Sequence, residues 1–176
     1  SVVHWHYVAK NVLCAWFMAH KVIGIMGAMP EEINEVVQLL ADRRELSIGM
    51  RTYYTGTLNG INTVVVFSRW GKTAAAATVS TLILELKITD LIFTGVAGGI
   101  DPELSIGDIV IARRLVQHDM DARPLMPRYE IPLLGKTFFE TSVEGLNIAA
   151  ITVNDMIDNR HLHALISNNV LEQFGI

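Results

Sequence analysis

The sequence predicts an α/β fold, in which buried parallel strands alternate with helices. Residues 22–26 (VIGIM) and 90–94 (DLIFT) are apolar runs of the kind that a strand covered on both faces uses. Each run leads into a turn that contains glycine, and helical periodicity follows the first turn. Because open α/β folds bind ligands at the carboxyl ends of their strands, we expect function at these turns.

The composition limits the classes of partner. The chain has 176 residues, of which 51% are apolar, and a net charge of −4. It is therefore long enough for one domain, and it lacks the cluster of Lys and Arg residues that a nucleic-acid-binding surface needs. No apolar run is long enough to cross a membrane. The single cysteine, Cys14, excludes an intrachain disulfide and is typical of a reducing compartment, so we expect a cytoplasmic protein.

Residues 1–17 are rich in aromatic side chains and end directly before Met18. They lack the basic start and the cleavage site of a signal peptide. We interpret them as an extension of cloning or upstream-translated origin, and we place the domain over residues 18–176. Two histidines in this extension, His4 and His6, are too few ligands to predict a metal site.

The first turn carries two carboxylates. Pro30 suits the first position of a helix, where its missing N–H costs nothing, and apolar residues recur at helical spacing over residues 31–42. Glu31 and Glu32 then lie in the first helical turn, where the helix dipole favours negative charge. Spacing alone favours two ordinary helix charges. The alternative is that one carboxylate turns into the crevice and acts as a base on water.

A hairpin and a second helix follow. Residues 52–58 (TYYTGTL) and 61–67 (INTVVVF) flank Asn59-Gly60, the strongest short hairpin signal. The second arm is apolar enough to be a central strand. Residues 68–72 (SRWGK) predict a strand-to-helix connector, and residues 73–87 predict the helix.

The second glycine-containing turn, residues 95–99 (GVAGG), does not match the GxGxxG dinucleotide fingerprint. Its glycines permit a ligand to approach the backbone, and its N–H groups can face a bound oxygen or ring nitrogen. An unusual turn without a ligand explains the pattern equally well. Residues 108–116 (DIVIARRLV) predict another strand.

The remaining segments carry weaker signals. Residues 117–121 (QHDMD) lack a further ligand at suitable spacing, so we predict a polar loop and no metal. Residues 122–141 contain prolines and little periodicity, which is typical of a long loop that borders a site or a partner. Residues 151–174 predict a final helix, and Gly175 is a stop signal.

Five stretches together resemble the bacterial 5′-methylthioadenosine/S-adenosylhomocysteine nucleosidases, which belong to the wider nucleoside phosphorylase fold. They are residues 24–32 (GIMGAMPEE), 53–60 (YYTGTLNG), 68–76 (SRWGKTAAA), 93–99 (FTGVAGG) and 105–112 (SIGDIVIA). The resemblance implies a phosphorylase/hydrolase-like, three-layer αβα fold with a mixed central sheet. It also implies a homodimer that hydrolyses the N-glycosidic bond of adenine thionucleosides without a cofactor or a metal.

The resemblance also assigns roles to residues. Glu32 matches the carboxylate that activates the attacking water. Six further positions match residues around the bound nucleoside: Ala28, Met29, Tyr53, Val96, Ala97 and Gly98. Residues 122–134 match a loop that reaches into the neighbouring subunit's site. Cleavage of a ribosyl–adenine bond is close to glycoside hydrolysis, which needs a base for water and an acid for the leaving group.

The sequence departs from the family in length. The family continues with a Met-Glu-Gly segment, which binds the ribose hydroxyls, and a Ser-Asp pair, which assists protonation of adenine. Neither occurs in this sequence. The resemblance therefore implies about the N-terminal two-thirds of a nucleosidase domain, with a sheet incomplete at its C-terminal end. Loss of either group costs orders of magnitude in rate, so full activity is expected of the longer chain.

Two other functions stay open. A phosphate-using phosphorylase of the same fold surrounds phosphate with arginines. Phe93 stands where related phosphorylases carry an arginine, and the carboxylates of Glu31 and Glu32 would repel a dianion, which favours water as the reagent. The other alternative is a non-catalytic binding or dimerising remnant, whose unpaired sheet edge promotes association.

Overall fold

The computed structural model describes residues 21–159, and the interpretations of residues 1–17 and of the chain beyond Asn159 lie outside them. The chain divides into two compact units, Ser1–Gly98 and Gly99–Ile176. The elements of the first unit are β1 (Val22–Gly27), a 3-10 helix (Pro30–Glu32), α1 (Asn34–Leu39), β2 (Ala41–Ile48), β3 (Arg51–Leu58), β4 (Ile61–Phe67), α2 (Lys72–Leu84) and β5 (Asp90–Phe93). Those of the second are β6 (Arg114–Val116), β7 (Phe138–Glu140) and α3 (Val143–Asp158).

The first unit contains one five-stranded sheet in the order β2-β3-β4-β1-β5. β1 runs parallel to both of its neighbours, β4 and β5, whereas the β2–β3 and β3–β4 pairs are antiparallel. The sheet is therefore mixed, as the resemblance implied. Since β4, β1 and β5 are adjacent and parallel, their carboxyl ends meet at one edge of the sheet.

A helix covers each face of this sheet. Successive side chains of a strand point to opposite faces, and Ile25 and Met26 accordingly belong to different cores. The first core joins strands β1 and β4 to α1, through Ile25, Ile33, Val37, Leu40 and Val65. The second joins the strands to α2, through Met26, Tyr53, Val64, Val66 and Leu82. The predicted three-layer αβα arrangement is thus confirmed in this unit.

The predicted helix over residues 31–42 was wrong at its end. α1 stops at Leu39, and β2 begins at Ala41, so this strand was absent from the prediction. The reason lies in its sequence, ADRRELSI, which has charges where a strand signal needs apolar alternation. An outer strand tolerates such charges because it pairs on one side only and exposes its side chains.

The predicted hairpin and central strand are confirmed, whereas β5 was predicted as buried and is not. β3 and β4 pair across the Asn59-Gly60 turn, and β4 lies inside the sheet. All four residues of β5 are exposed. Among the described residues β5 has β1 as its strand neighbour on one side and none on the other, which leaves it at the sheet edge.

In the second unit, β6 and β7 form an antiparallel pair, and the helix α3 follows β7 along the chain. The strand predicted over residues 108–116 was wrong in extent, because only Arg114–Val116 is extended and paired. The final helix was predicted from residue 151 but begins at Val143. The signal for this earlier start was present: the Ser142 hydroxyl accepts a hydrogen bond from the N–H of Gly145, as an N-cap residue does.

Candidate functional site

The sheet brings the two glycine-containing turns together. β1 ends at Gly27 and the parallel strand β5 ends at Phe93. The ladder continues one step further, since the N–H of Thr94 donates to the Met26 carbonyl at 3.0 Å. On the other side of β1, the N–H of Ser68 donates to the Gly27 carbonyl at 2.9 Å. Turns that are far apart in sequence are therefore neighbours at one edge of the sheet.

The carboxylate of Glu32 lies between these turns. Its Oε2 accepts hydrogen bonds from the N–H groups of Ala28 at 2.6 Å and Met29 at 2.9 Å. Its Oε1 accepts a hydrogen bond from the N–H of Val96 at 3.1 Å. The side chain of Glu31, in contrast, belongs to an exposed residue. Of the two carboxylates that spacing alone could not separate, Glu32 is the one that faces the glycine-rich turn.

Helix capping explains part of this arrangement. Glu32 is the third residue of the 3-10 helix, and a glutamate at that position commonly reaches back to the N–H groups before the helix. The bonds from Ala28 and Met29 fit that role. The bond from Val96, which is 64 residues away in sequence, does not belong to capping and ties the carboxylate to the second turn.

The surroundings of Glu32 keep it ionised at neutral pH. Partial burial raises the pKa of its carboxyl, but the N–H groups of Met29, Val96 and Ala28 lower it, and the resulting pKa lies below the ordinary value of 4.5. A carboxylate offers about four lone-pair directions, and three of them are used. Oε1, with one donor, retains a direction in which it can accept a hydrogen bond from water.

Other predicted residues lie in the same two turns. Ala28 and Met29 are half-buried and meet Glu32 through their backbone N–H groups. Val96 does so as well, while its side chain is exposed. Ala97 and Gly98 follow in the same turn and are exposed. The structure therefore collects five of the six predicted substrate-binding positions around one edge of the sheet.

Tyr53 is the sixth position, and the structure places it elsewhere. The resemblance assigns it a position around the bound nucleoside, and in the structure its residue has 0% exposed surface and packs in the second core with Leu82. Its hydroxyl is buried without a hydrogen-bond partner among the described residues. The strand register pairs Tyr53 with Val66, and both residues belong to the second core. The role of Tyr53 beside the nucleoside stays a prediction.

Sequence reasoning missed Gly95 as a contact of Glu32. The glycine-rich turn was interpreted as a place where a ligand approaches the backbone. In the structure a β-carbon on Gly95 would overlap the Glu32 carboxylate, so it is this side chain that makes the close approach. Only the pairing of β1 with β5 could have indicated this contact.

The polar loop of the second unit is organised by charge. Asp121 makes hydrogen bonds and an ion pair with Arg123, and Arg128 lies 3.8 Å away. The hydrogen bonds from Arg123 are the main cause that lowers the pKa of the Asp121 carboxyl to about 2.

Across residues 21–159, no group of three His, Cys, Asp or Glu side chains is arranged to hold a metal ion. No helix in that range is long and apolar enough to span a membrane.

Comparison with known families finds one model, described as the phosphorylase superfamily, that matches residues 22–164. Among curated proteins, the chain is 42% identical over 100 residues to a 5′-methylthioadenosine/S-adenosylhomocysteine nucleosidase of Anoxybacillus flavithermus, a match that covers 56% of this chain and 43% of the relative. It is 35% identical over 133 residues to an aminodeoxyfutalosine nucleosidase of Helicobacter pylori, covering 73% of this chain and 55% of the relative. The chain thus spans about half the length of these relatives.

Solved structures of nucleosidases are also similar to this chain. A Helicobacter pylori MTAN mutant with 5′-methylthioadenosine in its active site superposes with a TM-score of 0.73 at 33% identity, over 77% of this chain and 59% of that one. A 5′-methylthioadenosine/S-adenosylhomocysteine nucleosidase from Streptococcus pneumoniae, with the transition-state inhibitor MT-ImmA, has a TM-score of 0.66 at 35% identity, over 70% of this chain and 54% of that one.

Proposed function

The chain belongs to the phosphorylase superfamily, and from that premise we propose that it hydrolyses the N-glycosidic bond of 5′-methylthioadenosine and S-adenosylhomocysteine and releases adenine. The observation that carries this proposal is the ionised Glu32 carboxylate, held between the turns after β1 and β5 with an acceptor direction left on Oε1. The nucleosidase names of the similar curated proteins support the choice of substrate.

The proposed reaction uses Glu32 as a general base. Its carboxylate accepts a proton from a water molecule as the water oxygen forms a bond to the anomeric carbon of the ribose. The bond from that carbon to the adenine nitrogen breaks, and its electron pair leaves with the adenine, which takes up a proton. The transition state has oxocarbenium character, as in glycoside hydrolysis. We assign no residue of this chain as the acid that protonates the leaving adenine.

The neighbours of Glu32 would hold the nucleoside. We propose that Ala28 and Met29 lie on the ribose and water side, where their half-buried positions flank the carboxylate. Val96, Ala97 and Gly98 would form the wall behind the nucleoside, with an exposed backbone that a flat ring can approach. Tyr53 would support the nucleoside site from within the core, because its side chain has no exposed surface that a ligand could contact.

Water is favoured over phosphate on electrostatic grounds. An ionised Glu32 at the point of attack repels a phosphate dianion, whereas it attracts and polarises water. The test is to incubate the protein with 5′-methylthioadenosine and to measure adenine release with and without added phosphate. We expect equal release in both. Release that strictly requires phosphate would identify a phosphorylase instead.

Aminodeoxyfutalosine is a second candidate substrate. The match to the Helicobacter pylori aminodeoxyfutalosine nucleosidase extends over 133 residues, against 100 for the Anoxybacillus flavithermus relative. Parallel measurements of kcat/KM on aminodeoxyfutalosine, 5′-methylthioadenosine and S-adenosylhomocysteine decide between them. A preference for the first by tenfold or more, which corresponds to about 1.4 kcal/mol in transition-state binding, would reassign the substrate.

The proposal extends to partners and cellular context. We propose a homodimer in which residues 122–134 contribute to the neighbouring subunit's site, a small-molecule adenine nucleoside as the ligand, and neither nucleic acid nor membrane as a partner. The reaction would serve methionine salvage in the cytoplasm. Sedimentation together with calorimetry on a thioadenosine analogue tests this: a dimer that ignores the analogue would support the non-catalytic alternative.

A further inference from the structure

The Glu32 carboxylate lies close to the backbone of two glycines, Gly95 and Gly27. A β-carbon built on Gly95 would lie 2.5 Å from Oε1, 2.7 Å from Cδ and 2.8 Å from Oε2 of Glu32. A β-carbon built on Gly27 would lie 3.2 Å from Oε2. Real β-carbons do not approach other heavy atoms at 2.5 Å, so the carboxylate occupies space that any side chain at position 95 would need.

Space, rather than backbone conformation, is what position 95 requires. Neither Gly27 nor Gly95 is among the glycines with a positive φ, so an L-residue could adopt the backbone of both. The usual reason for a glycine in a turn, the left-handed region, therefore does not apply here. What remains is the close approach of the carboxylate to the chain.

We propose that Gly95 is a positioning residue for Glu32. Because it has no β-carbon, the carboxylate can reach the N–H of Val96 and keep the free direction of Oε1 beside the glycine-rich turn. The catalytic consequence rests on the proposed function, in which Glu32 acts on water. The placement of the carboxylate by Gly95 does not depend on that function and can be measured without substrate.

Gly95 is a better position to test than Gly27. A β-carbon on Gly27 would lie 2.7 Å from Cγ2 of Ile33, which is buried in the first core, so its substitution would disturb packing as well. The three atoms nearest to a β-carbon on Gly95 all belong to the end of the Glu32 side chain. That end can swing aside, and we expect Gly95→Ala to fold.

The first measurement needs no activity. An amide that donates to a carboxylate changes its NMR shift as the carboxylate titrates, so the Val96 amide of the wild-type chain should titrate with Glu32, with a midpoint below 4.5. In Gly95→Ala this response should fall to the level of Glu32→Ala, because the hydrogen bond is gone. A Val96 response that is unchanged in Gly95→Ala would overturn the inference. Gly145→Ala is the control, since a β-carbon there makes only ordinary contacts with Ser142.

The second measurement uses kinetics. Displacement of a catalytic group by about 1 Å can cost about 10²-fold in rate, and we expect Gly95→Ala to lower kcat by that order with a smaller change in KM. In a Glu32→Ala background the same substitution should change kcat less than threefold, because no base remains to be displaced. Equal losses in both backgrounds would mean general damage and would overturn the inference.

Two outcomes separate this inference from the proposed function. If the wild-type chain releases no adenine but the Val96 response is lost in Gly95→Ala, the proposed function fails and the placement of Glu32 by Gly95 stands. If Gly95→Ala does not fold alone, the double variant Gly95→Ala/Glu32→Ala removes the overlap and should recover folding. A double variant that also fails to fold would overturn the inference.

Discussion

At the scale of single residues, Glu32 combines a local and a distant role. Its bonds to Ala28 and Met29 stabilise the turn in which it lies, and its bond to Val96 fixes its direction. A carboxylate that accepts several N–H groups is held in one orientation before substrate arrives, which is what a general base requires. The neighbouring Glu31 has the same chemistry but is exposed, and it provides a natural control.

We predict that Glu32→Gln lowers the rate of adenine release by about 10²- to 10⁴-fold, the usual contribution of a general base. The amide retains the size of the side chain but cannot take a proton from water, so binding of a thioadenosine analogue should persist. Glu31→Gln should behave like the wild type in both assays. Full activity in Glu32→Gln, measured as adenine release, would contradict the assignment.

The lowered pKa of Glu32 predicts a pH dependence of stability. Its carboxyl has a pKa below 4.5 in the folded chain and near 4.5 in the unfolded chain, so the folded state favours the ionised form. The resulting stabilisation is fully present above 4.5 and is lost as the pH falls through the folded-state pKa. Urea unfolding of the wild type and Glu32→Gln from neutral to acid pH should show a difference in free energy that shrinks only below 4.5. A difference that grows on acidification would refute this.

At the scale of elements, the Asn59-Gly60 turn determines how strands β3 and β4 pair. Asn59 and Gly60 both have positive φ, at 50° and 79°, which is the pattern of a type I′ hairpin turn. This turn fixes the β3–β4 register, from Leu58 opposite Ile61 to Tyr53 opposite Val66. In this register Tyr53 and Val66 both belong to the second core, whereas the neighbouring Tyr54 packs against the first.

We predict that Gly60→Ala lowers the free energy of unfolding by about 1–2 kcal/mol, the cost of a left-handed residue with a β-carbon. Space is not the cause, because a β-carbon at position 60 would meet nothing within 4 Å. Gly145→Ala, at a helical position without positive φ, should leave stability unchanged or raise it slightly. Urea denaturation of both variants measures the difference, and equal effects would contradict the argument.

At the scale of the first unit as a whole, two cores share one sheet. α1 closes the core that contains Val37, and α2 closes the core that contains Leu82. Alternate residues of β1 and β4 supply the two cores. The two clusters therefore have no side chain in common.

We therefore predict that substitutions in the two cores add. Leu82→Ala should cost about 2–5 kcal/mol, and Val37→Ala about 2 kcal/mol from the lost methyl groups and the cavity. The double variant should lose the sum to within about 0.5 kcal/mol. Leu84→Ala, in the same helix but 63% exposed, is the control and should change little. Coupling of more than about 1 kcal/mol in urea unfolding would show that the cores are not independent.

The fold class was predictable because its signals are local. Apolar runs, the Asn59-Gly60 turn and Pro30 each act through neighbouring residues, so β1, the β3–β4 hairpin and the helices that follow could be placed from sequence alone. β2 escaped prediction because an outer strand needs no apolar face. The early start of α3 escaped because the Ser142 cap is a short polar signal among irregular residues.

The sequence by itself determined that a carboxylate stands just after the first strand and that a glycine-rich turn follows a later one. Only the tertiary structure decided that these two meet, that Glu32 rather than Glu31 faces Val96, that Gly95 makes room for it, and that Tyr53 is buried. The physical reason is that such contacts depend on which strands are adjacent and in what register. A partner 64 residues away leaves no trace in the pattern around either residue.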